Sequence, residues 1–482
     1  MQRSRFGACL ALLAVLAGCG GGGGDGGGSP TAATPTPTST TSPVAAAPCS
    51  IRDRQDWAAA RLREWYLFPE TLPASLDPAP YTTVDDYVDA LTATARSQRR
   101  DRYFTYVTSI REENAFYEQG ESAGFGFRLS ADSTGRRVLV SEAFEGGPAL
   151  AAGIDRGAEL LAIGTSSGNL RNFSDIIAAE GGQGVYNALG PDTAGTTRVI
   201  RFADAAGTRE VAVAKSVYAL TPVSSRYGAR VIDNGGRRVG YLNLRTFIET
   251  AEQPLRNAFA SFRAAGVTEV IVDLRYNGGG LVSVAELVGD LLGGNRTGSD
   301  VFSFTAFRPE KAQYNETRFF SPQPQSVAPT RVAFIGTGGT ASASELVINA
   351  MTPYLGTNSA LVGTNTYGKP VGQIALDREQ CDDRLRVVAF ATQNRDRQGN
   401  YFDGLATVVP RTCRAADDLN YPLGDPREAS TRAALDFLAG RSCSSIASAS
   451  REASTQAVGQ TRRELLTPER PSVVQREVPG AF

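Results

Sequence analysis

The sequence predicts a multi-domain α/β protein, and three patterns along the chain predict it. From about Arg226 onward, buried apolar runs typical of strands alternate with amphipathic helical stretches, as in an α/β domain. Between about Glu112 and Tyr218, short alternating runs separated by Gly-rich turns indicate a β-rich module. From Ser50 to about Ser109, apolar residues recur at three- and four-residue spacing, which predicts a small helical region.

The individual elements follow from local patterns taken in order. Helical spacing marks DRQDWAAARLREWYLF and TVDDYVDALTATARS, whereas period-two alternation marks FGFRLS and RRVLVSEAF as strands. RRVGYLNLRTF predicts a further strand, and AEQPLRNAFASFRAAG predicts a helix that ends at Gly266. The remaining expected elements of the α/β part are the buried strands VTEVIVDLR, RVAFIG and SALVG and the helix LVSVAELVGDLL.

The chain divides into six expected segments. Its first residues combine two arginines with an apolar run too short to span a bilayer, which indicates a secretion signal. A stretch rich in Gly, Pro and Thr follows and cannot form a core. We predict a signal peptide over 1–18, a tether over 19–48, a helical region over 49–111, a β-rich domain over 112–220, an α/β core over 221–445 and a polar, mobile tail over 446–482.

Cys19 closes the sequence LAGC, which resembles the lipobox of bacterial lipoproteins. This resemblance implies that Cys19 carries a lipid anchor, so the protein would be periplasmic and attached to a membrane. Because Gly20 rather than aspartate follows, we expect the outer membrane if the organism is Gram-negative. The alternative is a plain signal peptide with an incidental cysteine.

Composition excludes several partner classes. The net charge of −1 and the lack of a basic run argue against a nucleic-acid partner. With no histidine and no CxxC pair, we expect no metal site, and nothing indicates a cofactor. Four cysteines remain beyond the signal and anchor, and an even number in an exported chain predicts disulfides. Of three possible pairings we favour Cys381–Cys413 and Cys49–Cys443, since the second would tie the ends of the folded region together.

Lysine is the informative residue type. Only three of the 49 basic residues are lysines, and one of them, Lys369, stands in TYGKPVGQ. Without histidine, a nucleophilic serine needs another base; arginine keeps its proton, whereas a buried lysine can lose it at a pKa near about 7. A site that needs a neutral base therefore explains why an arginine-rich chain would retain this lysine.

Two glycine- and serine-rich turns are candidates for the rest of a site. TGGTASASE places Ser342 and Ser344 at a strand-to-helix corner, where helix capping is favoured over catalysis on the corner alone. DLRYNGGG, from Asp273 to Gly280, ends one strand and opens the next helix. It is compatible with a phosphate cradle, an oxyanion hole or a tight turn, and by itself the turn is favoured.

Together these motifs resemble the tail-specific, or C-terminal processing, serine peptidases, over roughly residues 50 to 440. The resemblance implies a crotonase/ClpP-like ββα-spiral core and a Ser/Lys dyad. It assigns Ser342 as the nucleophile with Ser344 as a helix-capping neighbour, Lys369 as the general base, Gln373 as its orienting partner, and the amides of Gly280 and Ala343 as the oxyanion hole. Two departures are a Ser342-to-Lys369 segment about two residues longer than the family pattern, and Pro370 in place of the usual glycine.

The β-rich module carries its own motif. Gly124-Phe125-Gly126-Phe127 resembles the carboxylate-binding loop of PDZ domains, and GGPALAAGIDRGAELLAIG resembles a later PDZ segment. The resemblance implies that a peptide adds as a strand with its C-terminal carboxylate at this loop. The alternative is that the two phenylalanines belong only to the core.

The leading hypothesis is therefore an exported serine endopeptidase whose protein or peptide substrates are recognised by their C-terminal tails. One alternative is a catalytically inert tail-binding lipoprotein on a peptidase scaffold. Another, a crotonase-like acyl-CoA enzyme, fits poorly with export. The sequence does not indicate the oligomeric state, and Glu345 is equally compatible with support of the dyad and with a solvated first-turn carboxylate.

Overall fold

The computed structural model describes residues 48–132, 134–446 and 463–482, and these described residues form one compact unit. The predicted signal peptide, Cys19 and the tether up to residue 47 lie outside the described residues. No helix in the described part of the chain combines the length and apolar character that crossing a membrane requires.

Helices and strands alternate through most of the chain. The helices are α1 Ile51–Trp65, α2 Val84–Leu91, α3 Ala93–Ser97, α4 Ile110–Gln119, α5 Pro148–Ala151, α6 Phe173–Leu189, α7 Glu252–Ala264, α8 Val282–Leu292, α9 Ala343–Leu355, α10 Ala429–Leu438 and α11 Val473–Glu477. The strands are β1 Tyr106–Ser109, β2 Glu121–Gly124, β3 Phe127–Asp132, β4 Val138–Ala143, β5 Glu159–Gly164, β6 Arg171–Asn172, β7 Thr197–Asp204, β8 Gly207–Ala214, β9 Ser216–Ala219, β10 Ala229–Asp233, β11 Arg238–Asn243, β12 Glu269–Asp273, β13 Val301–Phe307, β14 Glu316–Phe319, β15 Arg331–Gly336, β16 Ser359–Gly363, β17 Val371–Arg378, β18 Asp383–Gln393, β19 Thr412–Arg414 and β20 Arg463–Leu465.

A six-stranded sheet organises the α/β part, in the order β10-β11-β12-β15-β16-β19. The strands from β11 to β19 are parallel, and only β10 pairs antiparallel. Side chains alternate between the faces: Val270 and Val272 of β12 pack in the core with α7, α8 and α9, whereas Ile271 packs in the core with α10. Burial on both faces explains why these strands are continuous apolar runs. The predicted α/β, multi-domain fold class is confirmed.

The helical region packs on a second, antiparallel sheet. This sheet has the order β1-β18-β13-β14, with β17 paired to β18. Leu62 and Tyr66 of the α1 region and Val88 of α2 share a core with Val387 and Val388 of β18. The N-terminal helices are therefore attached to the strands that carry the lysine segment.

The β-rich module forms a seven-stranded sheet in the order β20-β3-β4-β5-β7-β8, with β6 paired to β5. Its core contains Phe125, Phe127 and residues of α6 such as Ile176 and Val185. A separate pair, β2 and β9, joins the two ends of the module. One strand of the sheet, β20, comes from the C-terminal part of the chain.

The predicted disulfide pairing is wrong. Cys49 pairs with Cys381 and Cys413 with Cys443, with Cα–Cα distances of 5.5 and 5.3 Å. The β17–β18 hairpin brings Cys381 to the beginning of α1, where Arg378 also pairs with Asp53. The segment after α10 runs beside β19, so Cys443 meets Cys413 locally.

The expected polar, mobile tail also differs from the structure, as far as the structure describes it. Residues 463–482 form β20 and α11, and many of their side chains are buried. Residues 447–462 lie outside the described part. The tail is part of the fold because main-chain hydrogen bonds join it to β3 and because apolar side chains such as Val478 and Phe482 are buried in two hydrophobic clusters.

Candidate active site

Three loops meet at one edge of the six-stranded sheet. They follow β12, β15 and β16, which are neighbours in the parallel part of the sheet. Because parallel strands place their carboxyl ends at the same edge, the residues after each strand come together there. These loops carry the DLRYNGGG segment, the turn with Ser342, and the segment with Lys369.

The glycine loop after β12 is fixed by Asn277, which is fully buried. The Asn277 side chain donates to the Leu244 carbonyl oxygen at 2.9 Å and accepts from the Gly279 amide at 3.0 Å. The main-chain carbonyl oxygen of Asn277 accepts from the Ala341 amide at 3.0 Å and from the Ser344 hydroxyl at 3.1 Å. Asn277 thus joins the glycine loop to the serine turn.

The base of this loop is held by buried ion pairs. The Arg275 guanidinium donates to Asp273, Asp417 and Glu428, at 3.0, 3.0 and 2.9 Å respectively. Burial opposes the charge of Arg275, but the three carboxylates hold its pKa well above the usual value. A charged group with this many partners is a rigid support for the adjacent glycines.

Gly279 and Gly280 allow the glycine loop to lie close to Ser342 and to the main chain of Phe247. Their φ angles are 127° and 131°, in the range that favours glycine. A Cβ on Gly279 would lie 2.7 Å from the Ser342 Cβ, and one on Gly280 would lie 2.2 Å from the Phe247 carbonyl oxygen. The loop therefore lies directly against the serine turn, and side chains larger than hydrogen would not fit.

Ser342 is the residue immediately before α9 and has a φ of 54°. A positive φ is uncommon for a non-glycine residue and typical of a strained strand-to-helix turn. Ser344, which the resemblance implied as a capping neighbour, lies inside α9, and its hydroxyl donates to Asn277 instead. Of the two candidate serines, Ser342 is the one at the corner.

Glu345 connects the serine turn to the lysine segment. Its carboxylate accepts from the amides of Gly368 and Lys369, both at 2.7 Å, and from the Ser342 amide at 3.1 Å. The side chain is fully buried. Burial raises the pKa of Glu345, against hydrogen bonds from Thr366 and the three amides that favour the ionised form. Of the two roles left open by the sequence, support of the site is the one the contacts favour.

Lys369 faces neutral groups. Its Nζ donates to the Gln373 Oε1 at 2.7 Å and lies 5.0 Å from the centroid of the Phe104 ring. The other two lysines each face a carboxylate: Lys215 pairs with Asp192 and Lys311 with Glu64. Within the described residues, no carboxylate lies at ion-pair distance from Lys369. Burial lowers the pKa of Lys369, as a base requires.

Gln373 is held in turn by the loop before β1. Its Nε2 donates to the Phe104 carbonyl oxygen, so its Oε1 faces Lys369. The Phe104 amide donates to the Asp101 carboxylate at 2.7 Å, which also accepts from the Tyr66 hydroxyl at 2.8 Å. The helical N-terminal region therefore sets the orientation of the amide. Pro370 does not interrupt the segment, since its carbonyl oxygen accepts from the Thr392 amide at 3.0 Å.

The amides of Gly280 and Ala343 have no hydrogen-bond partner among the described residues. Gly280 precedes Leu281, whose amide donates to the Phe247 carbonyl oxygen at 2.7 Å and orders this stretch. The Ala343 amide is the first of α9, where helix N–H groups are unpaired and the helix dipole favours negative charge. Two free donors of this kind beside Ser342 suit an oxyanion.

The glycine loop of the β-rich module is occupied by the chain itself. The amides of Gly126 and Phe127 donate to the Phe482 carbonyl oxygen at 2.9 and 3.3 Å. The rings of Phe125 and Phe127 stack with their centroids 5.4 Å apart and are fully buried. The phenylalanines therefore belong to the module core, while the main chain of the Gly124–Phe127 loop bonds to Phe482 of the same chain.

Sequence reasoning did not identify Asn277 as the residue that joins the glycine loop to the serine turn, and it left the role of Glu345 open. The signal for Glu345 was its position three residues after Ser342, where support of the dyad and a solvated first-turn carboxylate were equally compatible with the sequence. In the described residues, no group of three or more His, Cys, Asp or Glu side chains could hold a metal ion. Cys19 lies outside the described residues.

Residues 238–403 match the sequence profile of peptidase family S41. Carboxyl-terminal-processing peptidase 3 of Arabidopsis thaliana, a chloroplastic protein, is 27% identical over 298 residues, which are 60% of this chain and 53% of that protein. The carboxy-terminal processing protease CtpA of Bacillus subtilis is 25% identical over 279 residues, which are 58% of this chain and 54% of that protein. The chain thus spans about half the length of these relatives.

A solved structure agrees on the fold. A protein described as an S41 protease from Bacteroides fragilis has a TM-score of 0.60 and 22% identity, and the match covers 80% of this chain and 97% of that one. The family match contains all three loops described above, together with β17 and β18. Residues 238–403 therefore resemble peptidase family S41, and the chain is similar to proteins named as C-terminal processing peptidases.

Proposed function

We propose that this protein is an exported serine endopeptidase that works through a Ser342–Lys369 dyad and an acyl-enzyme. The observation that carries the proposal is the Glu345 carboxylate, which bonds to the amides of both Ser342 and Lys369 in a chain without histidine. The relation to C-terminal processing peptidases agrees with this chemistry. Ser342 would be the nucleophile and Lys369 the general base, oriented by Gln373.

The reaction follows from the protonation state of Lys369. Burial and a neutral partner favour the free amine, which accepts the Ser342 proton as the serine oxygen attacks the substrate carbonyl. The resulting ammonium donates that proton to the leaving amine, and the ester on Ser342 remains. The free lysine then takes a proton from water as the water attacks the ester. The ammonium returns that proton to the Ser342 oxygen as the acid is released, which restores both Ser342 and the free amine.

The negative charge of each tetrahedral intermediate would be held by the amides of Gly280 and Ala343. Backbone donors that are fixed before the reaction stabilise such charge without reorganisation, and one such donor typically contributes a factor of about 10² to 10³. Substrate proteins would be selected at the Gly124–Phe127 loop by their C-terminal tails. We further propose export to the periplasm and lipid attachment at Cys19, from the signal and LAGC patterns.

The test is cleavage of a denatured protein by the purified chain without its signal peptide. We expect cleavage by the wild type, none by Ser342→Ala, and a loss of at least about 100-fold for Lys369→Arg, because arginine keeps its proton. Lys311→Arg is the matched control: Lys311 is partly buried and pairs with Glu64 outside the site, and the variant should keep full activity.

Equal cleavage by the wild type and both dyad variants would refute the assignment. If no variant cleaves any protein while the chain still binds C-terminal peptides, the alternative of an inert tail-binding lipoprotein is correct. Fluorescence anisotropy with labelled peptides measures that binding independently of cleavage.

A further inference from the structure

Residues 480–482 lie along the edge of β3 as an added antiparallel strand. The Phe482 amide donates to the Phe127 carbonyl oxygen at 2.9 Å, and the Phe482 carbonyl oxygen accepts from Gly126 and Phe127. Farther along β3, the Leu129 amide donates to the Gly480 carbonyl oxygen at 2.9 Å. We call this edge, together with the Gly124–Phe127 loop, the β3 groove. Its hydrogen bonds are those of a peptide bound by strand addition.

The Phe482 side chain fills an apolar pocket of the module. It is 4% exposed and packs in the same core as Phe125 and Phe127. Its ring lies 6.2 Å from that of Tyr186, centroid to centroid. A Cβ on Gly124 would lie 2.6 Å from the Phe482 carbonyl carbon, so glycine at that position gives the peptide room. The pocket therefore accepts a bulky apolar residue at the end of the strand.

The same segment contacts two loops of the candidate active site before it reaches the groove. The Gly278 amide donates to the Glu477 carbonyl oxygen at 2.9 Å, and a Cβ on Gly278 would lie 2.1 Å from the Arg476 carbonyl oxygen. At the other side, a Cβ on Gly339 would lie 2.6 Å from the Leu465 Cδ1. Gly278 and Gly339 belong to the two loops that flank Ser342, so residues 465–477 lie against both.

Side chains of α11 fix this position. The Arg476 guanidinium donates to the Tyr103 carbonyl oxygen at 2.7 Å and lies 3.8 Å from the centroid of the Tyr106 ring. The Tyr117 hydroxyl donates to the Glu477 Oε1 at 3.0 Å. These contacts reach the helical N-terminal region, so the segment bridges all three parts of the described fold.

We propose that residues 463–482 are an intramolecular peptide ligand, which occupies the β3 groove and blocks the approach to Ser342. The occupancy of the groove stands independently, whereas the blocking role rests on the peptidase function proposed above. The partner class of the groove follows from its occupant: extended peptides that add along β3 and place a bulky apolar side chain in the pocket that Phe482 fills.

Because the segment is part of the same chain, it has the advantage over a free peptide in competing for the β3 groove. A ligand on the same chain acts at an effective concentration of about millimolar, so a free peptide at micromolar concentration displaces little of it. A change that weakens the tethered segment should therefore open the groove to a free peptide of the same sequence. That opening can be measured without catalysis.

The experiment measures binding of a fluorescein-labelled VPGAF peptide, the sequence of residues 478–482, to the full chain with Ser342→Ala. We expect at least tenfold tighter binding after Phe482→Asp is added, because a carboxylate in the apolar pocket releases the segment. Phe482→Ala, which disturbs folding less, should shift binding in the same direction. Phe319→Asp is the matched control, since Phe319 is 40% exposed on β14, and should bind the peptide as the parent does.

Equal peptide affinity in the parent and both Phe482 variants, with unchanged thermal unfolding, overturns the proposal. With Ser342 restored, we expect Phe482→Asp to cleave a denatured protein at least tenfold faster than the wild type. Tighter peptide binding with equal cleavage rates would overturn the blocking role alone. Tighter binding with no cleavage by any variant would overturn the proposed peptidase function and leave the groove assignment standing.

Discussion

Replacing Gln373 by glutamate tests whether Lys369 acts as a neutral base. Gln373 offers its amide oxygen to Lys369 Nζ at 2.7 Å, and no carboxylate in the described structure lies at ion-pair distance from that nitrogen. Glutamate places a negative charge at the same distance. An opposite charge this close favours the ammonium form and shifts a pKa by about 1 to 3 units.

The size and direction of the change in kcat/KM follow from the protonation state that the reaction requires. The active form needs the free amine, so raising the pKa of Lys369 lowers the active fraction at any pH below that pKa. A shift of 1 to 3 units lowers the kcat/KM of Gln373→Glu by roughly 10- to 1000-fold near neutral pH. The rising limb of its pH profile moves to higher pH by the same 1 to 3 units, and activity returns on the alkaline side.

Gln373→Ala is the matched control. Both variants lose the hydrogen bond from the Gln373 Nε2 to the Phe104 carbonyl oxygen, but only glutamate adds a charge. The assay is kcat/KM for a quenched peptide as a function of pH. For the wild type, the limb should rise at a pH below the ordinary lysine pKa, because burial lowers the pKa of Lys369. If Gln373→Glu and Gln373→Ala lose activity equally at every pH, with no alkaline recovery, Lys369 is not the base.

Three further predictions concern the support of the site. Glu345→Gln should lower kcat roughly 10- to 200-fold, since it loses at least one charged hydrogen bond of about 1.5 to 3 kcal/mol to an amide. Asp290→Asn is its control: Asp290 lies in α8 and its buried carboxylate accepts from the Ser321 amide, so this variant should lower the unfolding temperature and leave kcat unchanged. Gly279→Ala should abolish cleavage, because its Cβ would lie 2.7 Å from the Ser342 Cβ, whereas Gly338→Ala meets nothing within 4 Å and should be active; equal activities would contradict the loop geometry. Removing the Cys49–Cys381 disulfide, which closes a loop of sequence separation 332, should lower the free energy of unfolding by about 2 kcal/mol more than removing Cys413–Cys443, of separation 30, if loop entropy dominates. Denaturant unfolding measures both losses, and the reverse order would contradict this.

The sequence was sufficient for the parallel sheet and for the place of the site. Strands such as β12 and β16 are buried on both faces, so each is an apolar run that local reasoning recognises. Once the strands are parallel, the loops after them must share one edge. The meeting of the Ser342 turn with the Lys369 segment follows from that rule alone.

The antiparallel sheet and the disulfides were not predictable in this way. The partner of β17 is a hairpin neighbour, but β13 and β1 join β18 from distant parts of the chain. That pairing brings Cys381 next to Cys49, and nothing in the spacing of the cysteines reports it. Long-range pairing depends on the packing of three separate segments, which period and composition do not describe.

Residues 463–482 show a different limit of prediction from the sequence. Their composition is polar, with short apolar stretches, so a core-based argument leaves them outside the fold. Their attachment uses main-chain hydrogen bonds to β3 and a few buried apolar side chains spread along the segment, among them Val473, Val478 and Phe482. Strand addition of this kind has almost no compositional signal, because every residue carries the same backbone groups.

The scarcity of lysine gains its meaning from the partners of the three lysines. Lys215 and Lys311 each face a carboxylate, which pairs with the charged form of the amine. Lys369 faces the Gln373 amide and an aromatic ring, and its burial penalises the charged form. An arginine there would remain charged without a countercharge, which is costly in a buried site and useless for proton transfer. Of the three lysines, Lys369 is the one with no carboxylate at ion-pair distance among the residues that the structure describes, and its amide shares the Glu345 carboxylate with the Ser342 amide.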